Sequence, residues 1–334
     1  MRRAGLWVAV LVAVTACARP KVAPVAPVVP AFTEANFVKK PLETYTIPTP
    51  APGKMPEVSV IGAMRTYTIR DGDTLMDVAR WFDLGFNEMV DANPDVDEWV
   101  PPVGKTVLVP TTWVLPCCTY DGMVVNIPEM RLYFFQKKPG DPKTTIVRTY
   151  PVGLGRDDRR TPRKTFRVVG KTKNPTWNIP PRIRQDHIRE SGDHRSAIRG
   201  GDPDNPLGKY RFDLSISPYA IHGTNIPWGV GMNVSNGCAR LYPEDVEHLF
   251  PLVPVGTPGA FVYQPVKVGR RDDRTWVEAH RDVYRYGSAI PSGSRAAMKR
   301  FGVAVNDPGV KAAVKAGLGV PMALTPAPQE HASR

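Results

Sequence analysis

The stretch Ile221-His222-Gly223-Thr224-Asn225-Ile226-Pro227-Trp228-Gly229-Val230-Gly231-Met232-Asn233-Val234-Ser235-Asn236-Gly237-Cys238-Ala239-Arg240-Leu241 decides how the rest of the chain is read. It places one histidine and one cysteine in a glycine-rich segment, with an arginine two residues beyond the cysteine. A thiol attacks as thiolate, and a free cysteine with a pKa of ~8.5 is mostly protonated at neutral pH, so a nucleophilic cysteine needs a base or a cation beside it. His222 supplies the base and Arg240 the cation. Gly237 lets the backbone turn sharply before Cys238, so the amides of Gly237 and Cys238 are expected to face a developing oxyanion.

These residues resemble a known signature. His-Gly-Thr, a glycine-rich spacer and Ser-x-Gly-Cys-x-Arg-Leu look like the catalytic motif of the L,D-transpeptidases of bacterial peptidoglycan. The resemblance extends over Gly153-Leu-Gly-Arg-Asp-Asp-Arg-Arg-Thr-Pro162, Asn174-Pro-Thr-Trp-Asn178 and Gly201-Asp-Pro-Asp-Asn-Pro-Leu-Gly-Lys-Tyr210, and so over roughly residues 121–264. The combination is far more specific than the cysteine motif alone. One position departs from it: Asn236 stands where the family usually has histidine.

The resemblance implies a mechanism. Cys238 attacks the carbonyl of the meso-diaminopimelyl residue of a stem tetrapeptide, expels D-alanine and is left as a thioester. His222 takes the thiol proton and then activates the acceptor amine. Ser235, Asn236 and Arg240 orient the site and the substrate carboxylates. No metal or organic cofactor is needed. The acceptor stays open between a second diaminopimelate, a lysine of an envelope protein and water, so hydrolysis by an L,D-carboxypeptidase is an alternative outcome. Because Asn236 departs from the motif, a catalytically decayed peptidoglycan-binding tether is a further alternative, against which the retained His222, Cys238 and Arg240 argue.

Working outward, 334 residues exceed the size at which a single core usually stops growing. Residues 1–17 read as a secretion signal, with Arg2 and Arg3 before the apolar run at residues 6–14. That run is too short to span a bilayer, which takes ~20 apolar residues. Cys17 at the cleavage point resembles the acylated cysteine of a bacterial lipoprotein. Ala18 after it, in place of aspartate, implies outer-membrane delivery and an envelope location facing the periplasm. Residues 18–65 form a Pro-rich linker too poor in apolar residues to build a core of its own. Its part near residues 45–60 carries enough apolar residues to dock on a folded body.

Residues 66–110 show a strand, two short helices and a second strand. Asp73 is the expected N-cap of the first helix, and Leu75, Val78, Ala79 and Phe82 share its apolar face. This βααβ order, with Asp-Gly-Asp-Thr-Leu near its start, resembles the LysM module, which binds the glycan of peptidoglycan. The resemblance implies glycan binding on a module separate from the chemistry.

Residues 120–264 are expected to be mainly β, an antiparallel sandwich or curved sheet. Strands are expected at residues 123–127, 130–135, 145–152, 165–171, 210–216 and 259–263, and one helix at residues 243–250. Residues 180–198 read as a long irregular excursion, either a lid or an inert loop, and Gly153-Leu-Gly155 as a turn. Residues 265–334 are expected to be loosely ordered, with short helices within residues 299–316, and without chemistry.

Charge is uneven along the chain. Residues 66–110 hold three basic residues against nine acidic, whereas residues 121–264 hold 21 basic against 14 acidic, within a total of +12. A basic catalytic region suits anionic partners such as the carboxylates of peptidoglycan stems. Nucleic acid is excluded by secretion and by the lack of any stretch interleaving basic and aromatic residues. His187, His194, His248, His280 and His331 form no zinc-like spacing with the cysteines. The adjacent Cys117 and Cys118 leave open a vicinal disulfide, pairing between molecules, or free thiols.

Overall fold

The structure, a computed structural model, describes residues 29–117, 119–287, 290 and 292–324. Cys17 and the secretion signal lie outside the described residues, as does Cys118; Cys117 is disulfide-bonded. No helix among the described residues is long and apolar enough to cross a membrane.

Residues from Phe32 onward form one compact unit. It opens with a single helical turn, α1 (Glu34–Phe37), followed by β1 (Tyr45–Pro48) and β2 (Val60–Gly62). Tyr45 to Pro48 pair with a long strand at Asp141–Pro151, and Ile47 is buried, so the apolar part of the expected linker does dock. Lys40 and Phe37 are buried too. The linker therefore does not extend to residue 65.

Next come β3 (Arg65–Thr68), α2 (Leu75–Trp81), α3 (Phe86–Ala92) and β4 (Thr106–Val109), with β3 and β4 antiparallel. Thr74 rather than Asp73 caps α2. Its hydroxyl accepts from Asp77 N at 3.1 Å while the Asp77 carboxylate accepts from Thr74 N, a reciprocal capping box. Asp73 instead accepts from Arg70 N and from the Tyr67 hydroxyl, closing the turn before the helix.

This small unit is not a separate body. Its acidic residues meet buried cations outside it. Arg131 donates to both carboxylate oxygens of Glu88, at 2.9 and 2.7 Å. Lys40 lies 3.1 Å from Asp83 and 2.8 Å from Asp245. Conversely, Arg80 of α2 donates to Glu244 at 3.0 Å through each of two nitrogens. The charge asymmetry of the sequence is thus partly used for internal docking. Such pairs are held by geometry, because desolvation offsets most of their Coulomb gain and leaving one partner alone costs about 3–5 kcal/mol.

The remaining chain supplies β5 (Thr112–Val114), β6 (Gly122–Asn126), β7 (Arg131–Lys138), β8 (Asp141–Pro151), β9 (Leu154–Gly155), β10 (Thr165–Lys173), β11 (Trp177–Asn178), α4 (Pro181–Ser191), β12 (Ala197–Ile198), β13 (Tyr210–Leu214), β14 (Ala220–His222), β15 (Asn233–Ser235), β16 (Ala239–Arg240), α5 (Pro243–Leu252) and β17 (Pro258–Val262). Nine strands make one sheet in the order β1-β8-β7-β6-β17-β10-β13-β14-β16. It is mixed rather than purely antiparallel, since β6 with β17 and β14 with β16 run parallel. Met123, Val125, Leu132, Phe134, Phe212, Ile221 and Ala239 alternate onto one face and pack with Val246 and Leu249 of α5. Residues 181–191 form a helix instead of the irregular excursion expected, opened by Pro180-Pro181 and stopped by Gly192 in the left-handed region.

Beyond the sheet come β18 (Val266–Arg271), β19 (Arg274–Ala279), α6 (Ser292–Arg300), α7 (Pro308–Ala316) and β20 (Met322–Ala323); α7 falls where short helices are expected, but the ordered whole overturns the expectation of a loose tail. The three strands pair, and Val268, Val277, Met298, Val310 and Ala313 make a second core. Buried Lys267 lies 2.7 Å from Glu129 and 2.8 Å from Glu278, while His280 is bonded to Glu278 at 2.6 Å. Glu129, Glu278 and His280 bring their ligand atoms within 4.8 Å of one another. The Lys267 ammonium already supplies the cation there, so the cluster is an internal ion-pair network.

Candidate active site

The site lies at the β16 end of the main sheet, where strand pleating sorts side chains. Ile221, Ala239 and Leu241 enter the core. Their neighbours Ala220, His222, Cys238 and Arg240 therefore face the other way, into a cavity of about 270 Å³ also lined by Trp177, Ile183, Leu207, Arg211, Ser235 and Asn236. The structure thus brings together every catalytic and positioning side chain expected from the motif. Helix α4 contributes Ile183 to the wall.

His222 is buried, and its Nδ1 lies 2.7 Å from the Gly223 carbonyl oxygen. The Nδ1–H donates there, which leaves Nε2 with its lone pair free to accept a proton. Burial, then the positive charges of Arg240 and Arg211, push its pKa down to about 3, so the imidazole is neutral at pH 7. Burial likewise raises the Cys238 thiol, while the Ala220 N–H, Arg211 and Arg240 pull it back. No hydrogen bond joins Cys238 to His222 among the described residues. The resting pair is neutral thiol beside neutral imidazole.

The turn around the nucleophile is closed internally. Ser235 Oγ donates to the Cys238 carbonyl at 2.6 Å and accepts from Gly237 N at 3.0 Å. The Gly237 amide is therefore already engaged, a correction to the expectation that it would serve an oxyanion. Gly237 is required for shape: its φ is +107°, and a Cβ there would stand 2.7 Å from the Tyr219 ring. Asn236 is exposed at the cavity edge.

Three contributors went unrecognised in the sequence. Arg211 belongs to β13, and its position opposite in phase to Phe212 and Leu214 was the available signal. Thr161 Oγ1 donates to the Gly237 carbonyl and accepts from Gly155 N, each at 3.0 Å. Tyr284, buried in the main core, donates to the Gly155 carbonyl at 2.6 Å and accepts from Thr161 N at 3.1 Å. Gly153-Leu-Gly155 is correspondingly no turn. Leu154 and Gly155 form β9, which pairs with β15 just before the nucleophile, and Gly153 exchanges two backbone bonds with Arg240. His248 bonds Tyr150 at 2.9 Å and does not line the cavity.

Comparison with known proteins agrees with this geometry. The family model YkuD, described as the L,D-transpeptidase catalytic domain, matches residues 121–268. ErfK/SrfK of Escherichia coli K12, named a probable L,D-transpeptidase, is 36% identical over 244 residues, covering 72% of this chain and 75% of the relative. YbiS of the same strain, likewise named a probable L,D-transpeptidase, is 36% identical over 254 residues, covering 75% and 79%. ErfK/SrfK of Salmonella typhimurium is 34% identical over 240 residues, covering 71% and 75%.

Proposed function

The chain belongs to the L,D-transpeptidase family, and from that premise we propose that it acts on peptidoglycan stem tetrapeptides through a thioester at Cys238. The observation that carries the assignment is the convergence of Cys238, His222 and Arg240 on one cavity from adjacent strands. As Cys238 sulfur attacks the carbonyl of the third residue, its proton passes to His222 Nε2 and on to the amine of departing D-alanine. Transfer accompanies attack, because burial disfavours a resting ion pair. The Cys238 amide, and not that of Gly237, donates to the oxyanion. Arg240 takes a substrate carboxylate, Ser235 holds the turn, and Asn236 donates or accepts at the rim. An acceptor amine, deprotonated by His222, then displaces the sulfur, giving a cross-link or an attached envelope protein. With water as acceptor the same thioester is hydrolysed.

The finer reading of the first 110 residues is also proposed. The paired strands and two helices at residues 65–109 support a LysM-like glycan-binding unit. The short signal ending at Cys17 supports a lipid anchor and an outer-membrane, periplasm-facing location, where peptidoglycan is the partner. Intact mass after incubation with a stem tetrapeptide tests the chemistry. An adduct on the wild type that is absent from Cys238→Ala is expected, and an unmodified wild type would refute the assignment. Digesting treated sacculi identifies the acceptor.

A further inference from the structure

A row of three side chains crosses three neighbouring strands on the cavity face. Arg211 of β13 is opposite His222 of β14, and His222 is opposite Arg240 of β16. Neighbouring strands lie ~4.7–4.9 Å apart, so Arg211 and Arg240 flank His222 at about one strand spacing each along the backbone. The adjoining row holds Asp213 opposite Ala220, with Cys238 beside them ahead of β16. Asp213 Oδ1 lies 2.7 Å from Arg211 Nε and offsets one of the two charges. Arg240 has no carboxylate partner among the described residues. The Arg240 Nε is buried and makes no hydrogen bond there, whereas the Arg211 Nε is paired with Asp213.

Two cations face a small, mostly apolar-walled cavity and only Arg211 has a carboxylate partner among the described residues, which leaves an anion to be supplied by the ligand. We propose that Arg211 and Arg240 together form a carboxylate subsite for the donor stem, and that Arg211 makes the enzyme select stems with that carboxylate free over stems in which it is amidated. The proposal rests on the transpeptidase reading and adds a specificity residue to it. Arg211 acts on recognition and on the field around the base at once. An anion between the guanidiniums offsets the positive charge that opposes proton uptake by His222, so binding the correct stem also readies the site for attack.

The test uses the full chain and synthetic tetrapeptides in which each carboxylate in turn is free or amidated, with the rate of Cys238 thioester formation read by intact mass. For one carboxylate the wild type should react about ten- to hundredfold faster with the free form, the worth of a charge-assisted hydrogen bond. In Arg211→Gln that ratio should fall to near one. Arg211→Lys, which keeps the charge and loses the fork, should lie between, and it decides the matter if Arg211→Gln fails to fold. Circular dichroism and alkylation by neutral iodoacetamide establish that each variant is folded with a live thiol. A wild type indifferent to amidation, or folded variants that keep its ratio, would overturn the inference and leave the transpeptidase reading standing. A wild type acylated by none of the tetrapeptides would overturn both.

Discussion

Arg240 stands directly across from His222 on the neighbouring parallel strand, so the proposed base is held neutral by burial and then by a cation one strand away. A base of this kind does not carry a proton at rest; it accepts one only as the sulfur attacks. The Cys238–His222 pair stays uncharged until substrate arrives.

Mutants of the three motif positions should therefore be unequal. Cys238→Ala abolishes acylation, and His222→Ala loses about 10² to 10⁴ of the rate, the usual worth of a positioned base. Asn236→His changes the rate only modestly, because residue 236 sits exposed at the rim. Stopped-flow acylation by a carbapenem measures all three, and a wild-type rate in His222→Ala would remove that residue from the mechanism.

The depressed imidazole also links stability to pH. An ordinary value of 6.5 falls to about 3 in the native protein, so between those values the unfolded chain binds a proton that the folded one refuses. The contribution of His222 to stability is complete above about pH 6.5 and declines as pH drops toward 3, by at most about 1.4 kcal/mol per pH unit. Urea unfolding from pH 4 to pH 7 should show a steeper acid loss for wild type than for His222→Gln.

Thiol reactivity should run the other way. Burial raises Cys238, so alkylation by iodoacetamide should reach half its maximal rate at a higher pH than the ~8.5 midpoint of a free cysteine. A plateau below that midpoint would show a resting thiolate.

Removing residues 66–110 should yield an insoluble or unfolded remainder, since it strips partners from Arg131, Lys40 and Glu244, all buried. The milder Arg131→Met leaves Glu88 buried without its cation and should cost about 3–5 kcal/mol by chemical denaturation. A soluble deletion variant with full acylation would show that the docking carries no weight.

Tyr284→Phe removes the hydroxyl that holds Gly155 and Thr161, two contacts from the Gly237 carbonyl. Acylation should fall about tenfold to a hundredfold through misplacement of the nucleophile turn, with substrate KM little changed. Steady-state kinetics beside a melting curve separate this from simple destabilisation, which would leave kcat of the folded fraction intact.

Much of the site and of the local structure was legible in the residues alone. The proposed nucleophile, base and cation lie within one short segment, where glycine spacing and residue type point to the chemistry. The strands at residues 122–138 and the helix from residue 243 followed from alternation, proline placement and first-turn acids, all local properties of the chain. Tertiary structure decided what no local pattern encodes. Arg211 joins His222 through cross-strand register, Arg80 meets Glu244 across 164 positions, and Tyr284 reaches Thr161 across 123. Periodicity tells which face a side chain takes, but not which distant strand or helix comes to lie against it. The acidic character of residues 66–110 was visible in the sequence; that it faces buried lysine and arginine inside the same molecule is a property of the packed fold.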